Sequence, residues 1–360
     1  AGGIYMGGHP YLAFVVGWTG GYVLVAVLMA PYLRKFGCYT VPDFIGTRYG
    51  GNLARICAVI VLFIASFTYV TAQINATGTI ASRALLVPFG VGIWIGLGSI
   101  LICSMLGGMR AVTWTQVAQY IVLIIAYLTP VIWMSNKQGF GLLPHLTYGD
   151  AVAKIAGLEI MHQVGQLKPP PSPGPGMQAL TVLHNQPADN FVASVRFVTL
   201  VACMMIGTAS LPHILMRYFT TPSVREARQS VAWSLFFIFL LYFSAPAYGA
   251  FSKLEVYTNI IGRDVSGIRP WLFEWGQLGL IKICGKDATS LADIAAACKA
   301  IAGHPGVVRF ADFTINTDVI VLSTPEIAGL PYVISGLVAA GGLAAALSGP
   351  DGPPLPLATA

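Results

Sequence analysis

Between Gly207 and Pro212 the sequence reads GTASLP inside a run that is otherwise apolar, from VTLVACMMI on one side to HILM on the other. Gly207 weakens a helix and Pro212 removes a backbone donor, so the run is expected to break there, with the hydroxyls of Thr208 and Ser210 at the break. Two readings fit the stretch by itself: a proline kink whose hydroxyls bond back to the preceding turn, or a hollow where hydroxyls and freed backbone groups meet a solute. Unpaired main-chain groups survive in lipid only beside protein, water or solute. We therefore read the interruption as a pointer to a cavity. His213, close to Arg217, reads as a packed or interfacial residue rather than a ligand.

A second polar set lies in TYVTAQINATGTIAS, where Gln73 stands among Thr68, Thr71, Asn75 and Thr77. Gln73 and Thr77 share one helix face at i and i+4. Such a stripe either joins helices or walls a solute path, and the wall is the reading preferred here. The first six apolar stretches contain no Asp or Glu, which leaves no material for a carboxylate proton relay. A coupling cation would be held by hydroxyls and backbone carbonyls, a donor set suited to a hard ion such as sodium. No nucleophile with a base, paired carboxylates or metal cluster falls within a stretch, so the residues do not read as an enzyme.

The elements that must carry these groups are membrane helices. The chain is 56% hydrophobic and 9% charged, with a mean hydropathy of +0.72. Apolar stretches at 9–33, 53–81, 86–106, 112–134, 196–217, 228–250 and 329–348 predict about seven spans, an all-α polytopic membrane protein read as a single domain. Arg34, Lys35, Arg48, Arg55, Arg110, Arg217, Arg225 and Arg228 mark 34–52, 107–111 and 218–227 as cytoplasmic loops, with residues 1–8 and the long loops 135–195 and 251–328 outside. The net charge of +6 forms no dense patch beside aromatics, so the lipid bilayer, not nucleic acid, is the expected partner. In the loop GCYTVPDFIGTRYG, Asp43 among basic residues reads as an ion pair locking two helices.

The two outer loops carry their own signals. LKPPPSPGPG, at 167–176, favours extended polyproline geometry. SLADIAAACKAIAGH opens on Ser290 and Asp293 in a capping-box-like arrangement, with Leu291, Ile294, Cys298 and Ile301 near helical period, and predicts a short amphipathic helix. Cys284 and Cys298 lie in the same outer loop and either pair as a disulfide or remain free thiols. The opening AGGIYMGGHP, with no initiator Met or charged leader, reads as the interior of a longer protein.

At GGMRAVTWTQVAQ, residues 107–119, the chain resembles the solute:sodium symporter family, whose signature runs GGMxAVxWTDxxQ. Gly107, Gly108, Met109, Ala111, Val112, Trp114, Thr115 and Gln119 match, and Gln116 stands where the common form has Asp. GTASLPHILMRYFTTPSVREARQSV, 207–231, is similar to the GTAxLPHILMRFFT segment of the cation/acetate symporter branch. The resemblance extends over essentially all of the chain. It implies a partial LeuT-like inverted-repeat fold (5+5), with 9–33 as the second core helix and 329 onward as the eighth, and without the first core helix and the C-terminal helices. It also implies symport of a small monocarboxylate such as acetate with Na+ or protons, in a bacterial inner membrane, with no other cofactor. On this template Thr208 and Ser210 face the substrate, with Gln73 and Thr77 across the pocket. Ser348 matches one sodium-binding hydroxyl; LSGPDGPPLPLATA then departs from the LSTADGLLLAIANA of relatives, with Gly349 at the second hydroxyl position. Another solute (proline, pantothenate or pyruvate) fits the family equally. So does a symporter-like sensor followed by a kinase beyond Ala360.

Overall fold

The computed structural model describes residues 1–38, 40–85, 87–164, 177–179, 183–186, 190–219 and 221–348, with the backbone alone at 99, 100, 103–112, 177–179, 213, 216, 217, 219 and 348. The polyproline stretch 167–176 lies outside the described residues. Helices α1 (Gly2–Gly7), α2 (Leu12–Leu24), α3 (Ala30–Phe36), α4 (Val41–Tyr49), α5 (Asn52–Leu85), α6 (Phe89–Lys137) and α7 (Tyr148–Met161) form the first part of the chain. Strand β1 (Met177–Ala179) and helices α8 (Phe191–Ala209), α9 (Pro212–Phe219), α10 (Val224–Asn259) and α11 (Trp271–Gly276) follow. The rest comprises β2 (Ile281–Ile283), β3 (Lys286–Asp287), α12 (Leu291–Lys299), β4 (Phe313–Asn316), α13 (Ile320–Ile327) and α14 (Tyr332–Ser348).

The molecule is mostly helical and polytopic. His9–Phe36, Asn52–Leu85, Thr113–Lys137, Phe191–Ala209 and Val224–Asn259 are long and apolar enough to cross a bilayer, and Phe89–Gly98 and Tyr332–Leu347 are shorter apolar helices. Two helices run differently from the stretches read in the sequence. Helix α6 runs unbroken through 107–111, where the sequence reading places a loop. Two adjacent glycines cost only about 1 kcal/mol each in a helix interior, and no proline precedes Pro130, so nothing compels the ladder to open. Helix α10 continues past 250 to Asn259, because Ser252, Lys253 and Glu255 find protein partners instead of water.

The chain divides into two compact units. One comprises Ala1–Leu12, Tyr127–Val195 and Phe243–Val338. The two long connections do not stay loops here: with Tyr5 of α1 they build a core that includes Phe251, Trp275, Ile281, Phe310 and Phe313. A four-stranded antiparallel sheet in the order β1-β4-β2-β3 departs from the all-α expectation, with Met177 opposite Asn316 and Ile281 opposite Ile315. Helix α12 forms as predicted, its first turn capped by Ser290 accepting from the Asp293 N–H, and it buries Ile294 and Cys298.

This core also holds charge. Glu159 on α7 pairs with Lys253 on α10 and accepts from the backbone N–H of His184 and the hydroxyl of Tyr257. The backbone carbonyl of His184 in turn accepts from the His9 N–H, beside Gly8, which sits at φ +60. A Cβ at Gly8 would fall 2.0 Å from that carbonyl oxygen, so only glycine admits the contact.

The other unit comprises Ala13–Ala126, Arg196–Tyr242 and Ala339–Ala360 and holds most of the long apolar helices. The segment between α3 and α5 is helical, not a loop. Thr40 caps α4 by accepting from the Asp43 N–H, and Asp43 pairs with Arg55 at 2.9 Å across to α5. That is the ion-paired lock anticipated from the sequence.

Candidate functional site

The apolar run at 191–219 breaks where glycine, hydroxyls and proline coincide. Helix α8 stops at Ala209, Ser210 and Leu211 form the gap, and α9 starts on Pro212. Pro212 is accommodated because the first position of a helix needs no N–H. The Ser210 N–H reaches the carbonyls of Ile206 at 3.0 Å and Gly207 at 3.3 Å, its Oγ donates to Gly207 O at 3.0 Å, and the Leu211 N–H reaches Thr208 O at 3.3 Å. The break is thus a tightened last turn of α8 followed by a fresh helix N-terminus. Carbonyl oxygens at the end of α8 suit a cation, and the start of α9 suits an anion.

Helix α2 packs against this break through small residues. A Cβ placed on Gly17 would meet Met204 Cβ at 2.5 Å, one on Gly20 would meet Met205 Cγ at 2.8 Å, and one on Gly21 would meet Thr208 Cβ at 2.5 Å. The glycines let the two backbones approach closely, as small residues do at membrane helix interfaces. Thr208 is buried against this face, while Ser210 is exposed.

One turn further on, α2 loses its regular pitch. Residues Val25–Met29 form a π turn in which the Ala30 N–H bonds back to the Val25 carbonyl. Such turns lengthen the hydrogen-bond ladder by one residue and frequently accompany functional sites. Val25, Ala30 and Leu33 share one buried cluster with Ala209 and Leu215, so the π turn and the broken helix adjoin. Arg34 ties the same region to the far end of α9 by donating to the Pro222 carbonyl at 3.0 Å. The sequence reasoning missed this partner. Its signal was the small-residue spacing in GWTGG, residues 17–21.

Gln73 and Thr77 lie on α5, with the Thr77 hydroxyl donating to the Gln73 carbonyl at 2.9 Å. Thr77 is buried against Gly96 of α6, where an added Cβ would come within 2.2 Å of its methyl. Its described contacts therefore lead to α6 and not to the break. Thr68, Thr71 and Thr79 return their hydroxyls to the carbonyls of Ile64, Phe67 and Asn75, which satisfies these threonines within the helix itself. Ser348 is the last residue of α14; its side chain, that of His213 and residues 349–360 lie outside the described residues.

In the other unit, Cys284 and Cys298 form a disulfide with Cα atoms 5.2 Å apart. His304 lies 3.7 Å from Cys284 Sγ, and its Nε2 is 2.9 Å from Asp312 Oδ2. Its Nδ1 accepts from the Gly306 N–H, which assigns the remaining ring proton to Nε2 and makes the imidazole a donor to Asp312. Burial raises the Asp312 carboxyl, but hydrogen bonds from Arg309 and His304 outweigh it and hold the group below the ordinary carboxylate value. The three side chains Cys284, Cys298 and His304 are close enough to share a metal, yet with both sulfurs in the disulfide no thiolate remains to bind one.

Comparison with known proteins bears on this arrangement directly. The model of the sodium:solute symporter family matches residues 1–268. An uncharacterized symporter of Cupriavidus necator is 38% identical over an alignment that covers all of this chain and 63% of the relative. A monocarboxylic acid transporter of Corynebacterium glutamicum is 27% identical over 69% of this chain and 44% of the relative. The chain thus spans less than two thirds of the length of either of these curated relatives. A polytopic helical molecule, a broken membrane helix beside a π turn and a family match over most of the residues lead to one statement: the chain belongs to the sodium:solute symporter family.

Proposed function

We propose that the complete protein is a secondary active symporter that couples entry of Na+ to uptake of a small monocarboxylate such as acetate, in a bacterial inner membrane, with no other cofactor. The observation that carries this reading is the break at Ser210–Leu211 packed beside the π turn Val25–Met29. Two interrupted ladders meeting inside a membrane protein are the means by which backbone groups become available to a solute. The N-terminus of α9 offers a carboxylate positive potential, the Thr208 hydroxyl offers a donor, and the Ser210 hydroxyl becomes one by exchanging its bond to the Gly207 carbonyl. Gln73, Thr77 and Ser348 belong to the proposal on family resemblance: the first two as pocket wall, the last as one ligand of the ion. The distant monocarboxylic acid transporter supports a carboxylate over a sugar or a base. The same reading places residues 1–8 outside and 34–52 in the cytoplasm.

The test is uptake of labelled acetate into proteoliposomes of the complete protein, under an inward Na+ gradient and without one, with propionate, pyruvate and proline as competitors. Accumulation that needs Na+ and is displaced by propionate is expected. Accumulation indifferent to Na+ removes the coupling, and displacement by proline alone removes the carboxylate.

A further inference from the structure

Four cations gather at one end of the apolar helices without an ion pair. Lys35 lies in the last turn of α3, Arg48 in the last turn of α4, and Arg225 and Arg228 in the first two turns of α10. All four are exposed, and among the described residues none pairs with a carboxylate. Asp43 is taken by Arg55 at 2.9 Å, and Glu226, next to Arg225, forms no ion pair among the described residues.

Contacts between the helices bring these cations to one face. The Arg34 guanidinium donates to the Pro222 carbonyl at 3.0 Å, which sets the end of α3 beside the turn into α10. Phe44 packs edge-on against Phe36 at 4.8 Å and Tyr32 at 6.1 Å, and the Arg48 guanidinium lies 6.0 Å from the centre of the Tyr32 ring, so α4 rests on the same end of α3. Asp43 of α4 then reaches Arg55 in the first turn of α5. On α10, Ala227 and Val231 turn inward and leave Arg225 and Arg228 outside. Every one of these residues belongs to the unit that holds most of the long apolar helices.

Charge in the sequence sets the level of that face. No Asp, Glu, Lys or Arg occurs from Leu12 to Leu33, from Ile56 to Ser82 or from Gln229 to Ser252. Each run exceeds the roughly 20 residues needed to cross the hydrocarbon core. At this end the runs stop at Arg34 and Lys35, at Arg55 and at Arg228, so three boundaries on separate helices coincide. Tyr32 is exposed at the same end, and so are Tyr49 and Leu53, each at 75%. Tyrosines at the end of a span favour the boundary between hydrocarbon and headgroups.

We propose that Lys35, Arg48, Arg225 and Arg228 form a binding face for the phosphates of anionic phospholipids, with Tyr32, Tyr49 and Leu53 at the adjoining edge of the acyl chains. Guanidinium groups present paired N–H donors that match phosphate oxygens, and basic clusters at the end of a span draw anionic lipid. The partner is a lipid because the cations stand where apolar runs end, a level at which a headgroup is held in place by its own acyl chains.

The test uses the complete protein in phosphatidylcholine liposomes doped in turn with spin-labelled phosphatidylglycerol and spin-labelled phosphatidylcholine. Electron spin resonance reads the fraction of each label immobilised against the protein. Phosphatidylglycerol is expected to be held several-fold more than phosphatidylcholine, with the preference weakening as salt rises. Two double variants, Lys35→Gln with Arg48→Gln and Arg225→Gln with Arg228→Gln, should each lower that preference. A control pair outside the face, Arg196→Gln with Lys286→Gln, should leave it unchanged. Equal retention of the two lipids by the natural chain, or a preference that survives in both double variants, overturns the proposal. Loss of the preference to soluble glycerol phosphate at constant ionic strength would make the face a site for a free phosphate ester, and overturns it too. Because the two pairs lie on different helices, one variant that fails to fold leaves the other to decide.

Discussion

Lys253 and Glu159 form an ion pair, Nζ to Oε1 3.1 Å, with both side chains sealed from solvent. Each charge alone would be costly there, and the pair is tolerable because Glu159 also accepts from the His184 N–H at 3.0 Å and Tyr257 Oη at 3.2 Å. Removing one partner strands the other. Glu159→Gln or Lys253→Met is expected to cost about 3–5 kcal/mol, seen as a lower melting temperature in detergent. Replacing both by apolar residues should recover much of that loss, and a double variant as unstable as the singles would refute the stranded-charge account.

Acid should act on the same cluster through His184. Its ring is buried, neither ring nitrogen has a hydrogen-bond partner among the described residues, and burial with the Lys253 ammonium nearby lowers its pKa from 6.5 to about 3. The unfolded chain therefore takes up the proton first, so stability is lost as pH falls below 6.5 and continues to fall until the folded-state value near 3. At pH 5 the loss from this group is about 2 kcal/mol. Melting the protein at pH 7.5 and pH 5 checks this: His184→Phe should show a smaller drop than the natural chain.

Gly21 and Gly207 should respond oppositely to the same methyl group. A Cβ on Gly21 meets Thr208 and the Met205 carbonyl at 2.5 and 2.8 Å, whereas a Cβ on Gly207 meets nothing within 4 Å. Gly21→Ala forces α2 off α8 and is expected to destabilise by about 1–3 kcal/mol. Gly207→Ala should be neutral or slightly stabilising, since alanine favours the helix by about 1 kcal/mol over glycine. Thermal shift of the two variants side by side decides it.

The disulfide spans a sequence separation of 14. Closing a loop of that size stabilises by about 3 kcal/mol, so Cys298→Ala should lower the melting temperature of the unit that contains it. Peptide mapping without reductant should recover residues 284 and 298 in one linked species; separate peptides would show the bond is not formed.

Transport tests the break itself. Thr208→Val removes a buried hydroxyl beside Gly21, and Ser210→Ala removes the bond to the Gly207 carbonyl. In the full-length protein each is expected to raise the acetate concentration needed for half-maximal uptake, without changing the amount of protein in the membrane. Unaltered uptake in both variants would leave these hydroxyls a purely structural role.

Much of this protein was legible because membrane insertion is decided locally. A run of apolar residues must become a helix, since lipid offers no other partner for the backbone. Gly207 and Pro212 placed the break of α8, and Ser290 with Asp293 placed the start of α12, for the equally local reason that caps and breakers act within one turn. Neighbouring residues therefore determined the spans, the interruption and the amphipathic helix by themselves.

Only the tertiary structure decided what each of these meets. The sequence shows Thr208 and Thr77 as hydroxyls of one kind, yet Thr208 packs on Gly21 and Thr77 on Gly96, because helix pairing depends on which small residues come level across different segments. Lys253 reads as the charged end of a span and becomes a buried partner of Glu159, 94 positions away. The strand partners Met177 and Asn316, and the bond between His145 and Ser244, likewise join segments that carry no mark of each other. Hydrophobicity and caps act over a few residues and can be read in order along the chain, whereas packing and charge pairing act through space and exist only once the chain has folded.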